Sequence, residues 1–213
     1  MTVWRRSVAA LGGLALAGCG LVTMASQPEP PPQRTVDPAT AWPEIKANQS
    51  AARSGVLTVD VHVTQPENLV VVVPSAKIRV MPYAPGLWEE LSELLRWRYD
   101  GGLYYPSKVR DAPRHIDDAI TRYNRALAAA GLSDLSRSVD AYLDRPIELD
   151  LVAGDYMALS EYQTIGRGPT QKVWVWLERV RVEPQSGLTL VLGDGNTLCA
   201  EALTPNGTRC RDK

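Results

Sequence analysis

Residues 55–63 read Gly-Val-Leu-Thr-Val-Asp-Val-His-Val, and this stretch decides how the body of the chain is built. Apolar residues occupy every second position from Leu57 to Val63, with polar residues between them. A period of two predicts a β-strand with one buried face and one solvated face, whereas an amphipathic helix needs a period of 3.6. The body is therefore predicted to be built on a half-buried sheet.

Further strands are predicted on both sides of a central block that has a different pattern. They are the apolar or alternating runs at 69–73, 78–80, 147–151, 156–159, 173–177 and 188–192. Residues 173–177 are apolar at every position because Trp174 and Trp176 alternate with aliphatic residues, which indicates a strand covered on both faces.

The central block, residues 85–145, has helical spacing. Leucines at 87, 91, 94 and 95 predict one helix, and Ile116, Ile120, Tyr123 and Leu127 predict a second that begins after Pro113 and ends before Gly131. A third, short helix is predicted from Ser133 through Tyr142. Strands, then helices, then strands indicate an α+β fold, specifically an antiparallel β-sandwich with a helical insertion at about 85–145.

The N-terminus has the order of an export signal. Arg5 and Arg6 precede a short apolar stretch that ends in Leu-Ala-Gly-Cys at 16–19. This ending resembles the lipobox of bacterial lipoproteins, and the alternatives are a plain signal peptide or an N-terminal helix with an incidental cysteine. The resemblance implies cleavage of residues 1–18, a diacylglycerol on the thiol of Cys19, further acylation such as palmitate, and anchoring to a membrane outside the cytoplasm. With Gly at position 20, it implies the outer membrane if the cell is Gram-negative.

Residues 19–54 are predicted to be a tether. Six prolines interrupt this segment, and no strand or helix period is visible in it. Proline-rich chain favours extended, semi-rigid backbone. A spacer between membrane and body is the preferred interpretation, with a partner-binding polyproline segment as the alternative. Trp42 is the one residue expected to dock onto the body, which is assigned to residues 55–213.

Composition excludes several classes of protein. The 213 residues are 45% hydrophobic and 22% charged, with a formal charge of −1, which gives no electrostatic basis for binding nucleic acid. Two histidines and three cysteines are too few for most histidine-based metal sites or for a disulfide-dense scaffold. Cys199 and Cys210 remain once Cys19 is lipidated, and an oxidising compartment favours a disulfide between them over a redox or metal pair.

Two segments of the body resemble the carboxypeptidase regulatory-like, or prealbumin-like, β-sandwich. Residues 152–159 (Val-Ala-Gly-Asp-Tyr-Met-Ala-Leu) are similar to its Gly-x-Tyr strand, and residues 180–190 are similar to its closing hairpin. The family's middle hairpin has no counterpart, and residues 85–145 stand in its place. The resemblance implies a binding or spacer module without assigning a ligand.

No catalytic constellation is visible, because the chain contains no GxSxG, SxxK, HExxH or glycine-rich phosphate loop. His62 and His115 are interpreted as surface residues, and no metal or cofactor is predicted. The sequence at 193–196, Gly-Asp-Gly-Asn, is interpreted as a tight turn.

Residues 97–106 have the most unusual local composition. Trp97, Tyr99, Tyr104 and Tyr105 surround two glycines, which is typical of loops that bind partners, glycans or flat ligands. The competing interpretation is that these rings pack the helical block onto the sheet.

The sequence as a whole favours a lipid-anchored, non-enzymatic envelope protein that binds a protein partner as an accessory subunit of a surface assembly. Two alternatives remain open. One is a hydrolase of peptidoglycan or glycan that acts through scattered carboxylates, and the other is a small-ligand or glycan binder that uses the aromatic loop.

Overall fold

The computed structural model describes residues 29–64, 70–72, 75–99, 106–142, 146–163, 172–202 and 209–210. Its helices are α1 (Pro43–Ser50), α2 (Pro85–Tyr99) and α3 (Pro106–Ala129). Its strands are β1 (Ser54–Thr64), β2 (Val70–Val72), β3 (Ser75–Pro82), β4 (Arg137–Tyr142), β5 (Ile147–Val152), β6 (Gly154–Gln163), β7 (Lys172–Val182), β8 (Gly187–Leu192), β9 (Cys199–Ala202) and β10 (Arg209–Cys210). None of the described helices has the length and apolarity that crossing a bilayer requires.

The strands form two sheets that share one apolar core, so the predicted α+β class is confirmed. In the four-stranded sheet, β1 pairs with β2, β5 and β8. The six-stranded sheet has the order β10-β9-β7-β6-β3-β4. Every described pair is antiparallel except β1 with β8, which run parallel. The alternation in residues 57–63 places four side chains of β1 in the core, as predicted.

Helices α2 and α3 form a third layer on the outer face of the six-stranded sheet. Successive side chains of β3 point to opposite faces: Ile78 and Val80 lie in the core between the sheets, while Arg79 points to the helices and bonds to Asp117 of α3. On the inner face of β7, the indoles of Trp174 and Trp176 donate hydrogen bonds to Asp194 and Gly193. The turn after β8 therefore covers these two rings, whereas sequence reasoning expected the helical block to cover them.

The predicted third helix is wrong. Residues 133–135 form a single 3-10 turn, and β4 follows and pairs with β3 along its whole length. The helical insertion therefore ends near residue 136 rather than 145. The stretch 137–142 carries its apolar residues at spacings that fit either structure, and the unpaired edge of β3 is what makes it a strand.

Helix α3 begins earlier than the sequence indicated and runs through Pro113. Proline cannot donate to the carbonyl four residues before it, which is why the helix was predicted to begin after this residue. The flanking turn is instead held by packing, because Ala112 and Ile116 are both buried.

Residues 34–50 form a strap across the body, which differs from the expectation of an unstructured tether through residue 54. Trp42 is only 6% exposed, so the expectation that it docks onto the body is met. The Arg34 guanidinium lies 2.7 Å from Glu89 and from Glu93, and its backbone N–H donates to the buried carboxylate of Glu90 at 3.0 Å. Residues 1–28, which include the predicted signal and Cys19, lie outside the described residues.

The predicted disulfide between Cys199 and Cys210 is confirmed. The two residues are directly opposite each other in the β9–β10 pair, with a Cα–Cα distance of 4.1 Å. The bond links β10, the edge strand of the six-stranded sheet, to its neighbour β9. The predicted turn at 193–196 is also present, as a 3-10 turn over Asp194–Asn196.

Candidate functional site

A cleft of about 220 Å³ opens between the helical layer and the outer face of the six-stranded sheet. Strands β3 and β6 form one wall, and α2 and α3 form the other. The cleft exists because charged side chains of β3 and β6 hold the helices off the sheet at this point, whereas elsewhere apolar side chains bring the layers together.

The floor of the cleft is apolar. It consists of Leu95 from α2, Pro113 and Ile116 from α3, and Leu159 from β6. Leu95 and Ile116 occupy the helical stripes that the sequence predicted to be buried, so the floor is the edge of the core rather than a separate feature. None of the described residues that line the cleft is aromatic.

Two ion pairs cross the rim of the cleft and join the helices to the sheet. Arg98 of α2 donates to Glu161 of β6 at 2.7 Å, and Arg79 of β3 lies 3.4 Å from Asp117 of α3. The first pair is the more buried, since the Arg98 side chain is 18% exposed while that of Asp117 is 66% exposed. The Arg98–Glu161 pair is therefore the better shielded from water, and the Arg79–Asp117 pair is the longer and more exposed of the two.

Lys77 is the third cation of the rim. It lies directly opposite Glu161 in the β3–β6 register, and its side chain is exposed. Within the described part of the chain, its ammonium makes no hydrogen bond or ion pair. The cleft thus contains three cations and two carboxylates, and each carboxylate already binds an arginine. The arrangement offers a cationic donor above an apolar floor.

The first half of the predicted aromatic loop is the last turn of α2 and is largely packed. Tyr99 is 7% exposed, and the guanidinium of Arg98 lies 5.0 Å from its ring centroid. The ring of Trp97 is half-buried and meets the His115 ring edge-on at 5.9 Å. Tyr104 and Tyr105 lie outside the described residues. The four-ring binding loop stays a prediction, and the two rings that can be placed pack within the helical layer.

The two histidines lie on β1 and α3, and each is half-buried. The His62 Nε2 lies 2.7 Å from the Asp60 carboxylate on the outer face of β1, where the alternation placed it. Among the residues that the structure describes, no group of three or more potential metal ligands comes together.

The cleft could not be predicted from the sequence, although the outward positions of Lys77 and Arg79 could. Glu161 and Asp117 are distant in sequence from both, and only the β3–β6 pairing and the placement of α3 bring them together. The sequence did contain a partial signal for the cleft. Lys77 and Arg79 alternate with apolar residues in β3, and their face of the sheet is the one that the helices cover.

Comparisons with known proteins assign no family. No protein-family model matches the chain, and no curated protein matches it significantly. Among solved structures, the chain is similar to the crystal structure of a Pseudomonas aeruginosa protein described as a "putative carbohydrate binding protein". The TM-score is 0.41 at 15% sequence identity, over 72% of this chain and 97% of that chain. A likeness this distant carries no argument about what the chain binds.

Proposed function

We propose that this protein is a ligand-binding module of the cell envelope, tethered through Cys19, and that the cleft between the helices and the six-stranded sheet binds a small organic anion with an apolar part. The observation that carries the proposal is the position of Lys77, a cation without a partner in the described chain, above the floor of Leu95, Ile116 and Leu159.

The charge and shape of the cleft support this ligand class. An apolar body on the floor gains by leaving water, at about 25 cal/mol per Å² of buried apolar surface. A carboxylate, sulfonate or phosphate beside it satisfies the Lys77 ammonium. The half-buried guanidinium of Arg79 adds a second donor, because its bonds to Asp117 are long, at 3.4 and 3.5 Å. The fixed Arg98–Glu161 pair holds the wall in place without a ligand.

The envelope location rests on two features. The Leu-Ala-Gly-Cys sequence at 16–19 supports lipidation and export, and the disulfide between Cys199 and Cys210 is consistent with an oxidising compartment outside the cytosol. A lipid-anchored binding module also accommodates the protein partner predicted from the sequence.

The hydrolase alternative fits the cleft less well. It needs two carboxyl groups that can reach a scissile bond. Asp117 and Glu161 line the cleft, but both are engaged by arginines on its rim. A binding role uses these pairs as they stand, whereas hydrolysis would first have to break them.

The proposal is tested with 1-anilinonaphthalene-8-sulfonate, an apolar ring system that carries one anionic group. We expect the folded protein to bind it in isothermal titration calorimetry, and Lys77→Gln to weaken binding about tenfold, which corresponds to about 1.4 kcal/mol. Lys77→Arg should keep most of the affinity, because it preserves the charge.

Arg125→Gln is the matched control, since it removes one positive charge from an exposed position on α3 outside the cleft. N-phenyl-1-naphthylamine, which lacks the sulfonate, should bind wild type and Lys77→Gln alike. Equal sulfonate affinity in Lys77→Gln and Arg125→Gln, with both variants folded by circular dichroism, would contradict the proposed site.

A further inference from the structure

Strand β8 is an edge of the four-stranded sheet with an unusual composition. Among the residues the structure describes, it pairs with β1 alone. Its sequence, Gly-Leu-Thr-Leu-Val-Leu, contains no charged residue and no proline. The two exposed large apolar side chains in the described chain are both on this strand: Leu188 is 36% exposed and Val191 is 48% exposed.

Two other described edges carry the charges that usually prevent edge-to-edge pairing, whereas the three-residue edge strand β2 (Val70–Val72) carries none. Strand β5 exposes Glu148 and Asp150, and β4, at the end of the six-stranded sheet, exposes Arg137 and Asp140. Charged side chains on an edge strand disfavour pairing with a strand of another molecule. The absence of such protection therefore distinguishes β8 from β4 and β5, and its length of six residues distinguishes it from the equally uncharged β2.

The register with β1 shows which backbone groups of β8 are available. The Val56 N–H donates to the Ser186 carbonyl at 2.9 Å, and Val56 lies opposite Gly187. In a parallel pair, residues that bond to the neighbouring strand alternate with residues that point away from it. The N–H and C=O groups of Gly187 and Thr189 and the N–H of Val191 consequently point to the open edge, whereas the Val191 carbonyl already accepts from the Asn196 side-chain amide at 2.9 Å.

We propose that β8 pairs antiparallel with β8 of a second copy of this chain, about a two-fold axis at Thr189. In this register the outward groups of the two strands meet, so that Thr189 of one copy exchanges hydrogen bonds with Thr189 of the other, and the Val191 N–H of one copy donates to the Gly187 carbonyl of the other. Leu188 of one copy then lies opposite Leu190 of the second copy. Leu188 is thereby covered, while Val191, on the other face of the sheet, lies beside Gly187 of the second copy.

Self-complementarity is the reason for choosing a second copy as the occupant. A two-fold axis sets a strand against its own reversed sequence, so a charged strand such as β5 would oppose like charges, whereas β8 opposes none. A Cβ placed on Gly187 would meet no atom within 4 Å, which leaves room for the side chain of Val191 from the second copy. Six residues on each side make a small interface, and we therefore expect a reversible dimer.

Cysteine cross-linking on intact cells that express the full chain tests the register. Thr189→Cys places two thiols on the axis, with Cα atoms about 5.5 Å apart, within the range of a disulfide. Val191→Cys is the matched control, because the two copies of residue 191 would lie four positions apart, about 13 Å. We expect a cross-linked dimer on non-reducing gels for the first variant and little for the second.

Wild type measures any cross-link through the native cysteines and sets the background. Val191→Lys, at an exposed position, should abolish the dimer of the detergent-purified chain in analytical ultracentrifugation, with the circular dichroism spectrum unchanged. Equal cross-linking of Thr189→Cys and Val191→Cys would overturn the proposal, and so would a wild-type chain that stays monomeric at every concentration. Neither outcome touches the cleft, whose test uses a separate ligand.

Discussion

Tyr123 and Tyr156 show how single side chains couple the stability of this fold to pH. Burial raises the pKa of both phenols far above the ordinary value, and each hydroxyl donates to a backbone carbonyl, that of Pro82 for Tyr123 and that of Val152 for Tyr156. The unfolded chain ionises its tyrosines near pH 10, whereas the folded chain keeps these two protonated.

The sign of the pH dependence follows from this difference. The stability that the two phenols contribute is fully present below about pH 10 and is lost as pH rises above it, because only the unfolded chain then releases the protons. We expect the free energy of unfolding in urea to fall from about pH 10 upward, and Tyr123→Phe to make that fall shallower by up to about 1.4 kcal/mol per pH unit. Identical slopes for wild type and Tyr123→Phe would refute this assignment.

At the scale of elements, the sequence predicted correctly those helices and strands whose apolar spacing alone determines their structure. The strand from Leu57 and the helix from Leu87 were predicted because their apolar spacing fits one structure only. The stretch Arg137–Tyr142 fits two, and its pairing with β3 decides between them. The cleft could not be predicted for the same reason. Glu161 lies opposite Lys77 only because β3 and β6 are neighbouring strands, and no single segment of the sequence encodes that pairing.

Gly154 is a position where the contact between two elements, β6 and α1, helps to explain why the residue is glycine. A positive φ at this position would alone favour glycine. In the structure its φ is 151°, and a Cβ on it would lie 2.5 Å from Cγ1 of Ile45, a residue of α1. Glycine is therefore required twice, once by its own backbone and once by the helix that packs on it.

A double-mutant cycle separates the two requirements. Gly154→Ala should destabilise the protein by about 3 kcal/mol, from backbone strain and overpacking together. In an Ile45→Ala background the clash is relieved while the backbone strain stays, so we expect the same substitution to cost about 1–2 kcal/mol less. The measurement is urea unfolding of all four proteins, and strictly additive effects would show that α1 does not press on Gly154.

At the scale of the whole molecule, the strap changes how far the body can lie from its proposed anchor. A fully extended chain spans at most about 50 Å from Cys19 to Arg34, against about 120 Å from Cys19 to Ser54. The docked strap thus removes more than half of the reach that an unstructured tether would have. The ion pairs of Arg34 with α2 also determine where the N-terminal segment leaves the body, which is on the side of the helices.

Trp42 is the residue on which docking of the strap depends most. It adopts a φ of 60°, which costs a non-glycine residue about 1–2 kcal/mol. In return its buried indole donates to the Tyr83 carbonyl at 3.0 Å and meets the Tyr123 ring edge-on at 5.5 Å. Trp42→Ala should remove about 3–5 kcal/mol of packing, relieve little of the strain, and release the strap while the sheets stay folded.

Limited trypsin digestion measures that release. In wild type, the Lys46 ammonium is bound to the Pro38 carbonyl at 2.8 Å, and the backbone of Arg53 bonds to Asn48 and Ala153, so cleavage after either residue should be slow. In Trp42→Ala we expect both bonds to be cut early and a stable fragment that begins at Ser54 to accumulate. Trp97→Ala, which removes a half-buried ring outside the strap, should leave both bonds protected. Because global unfolding would expose the strands as well, digestion of Trp42→Ala straight to small peptides would show that the strap is an inseparable part of the core, and the short reach would then be a permanent property of the fold.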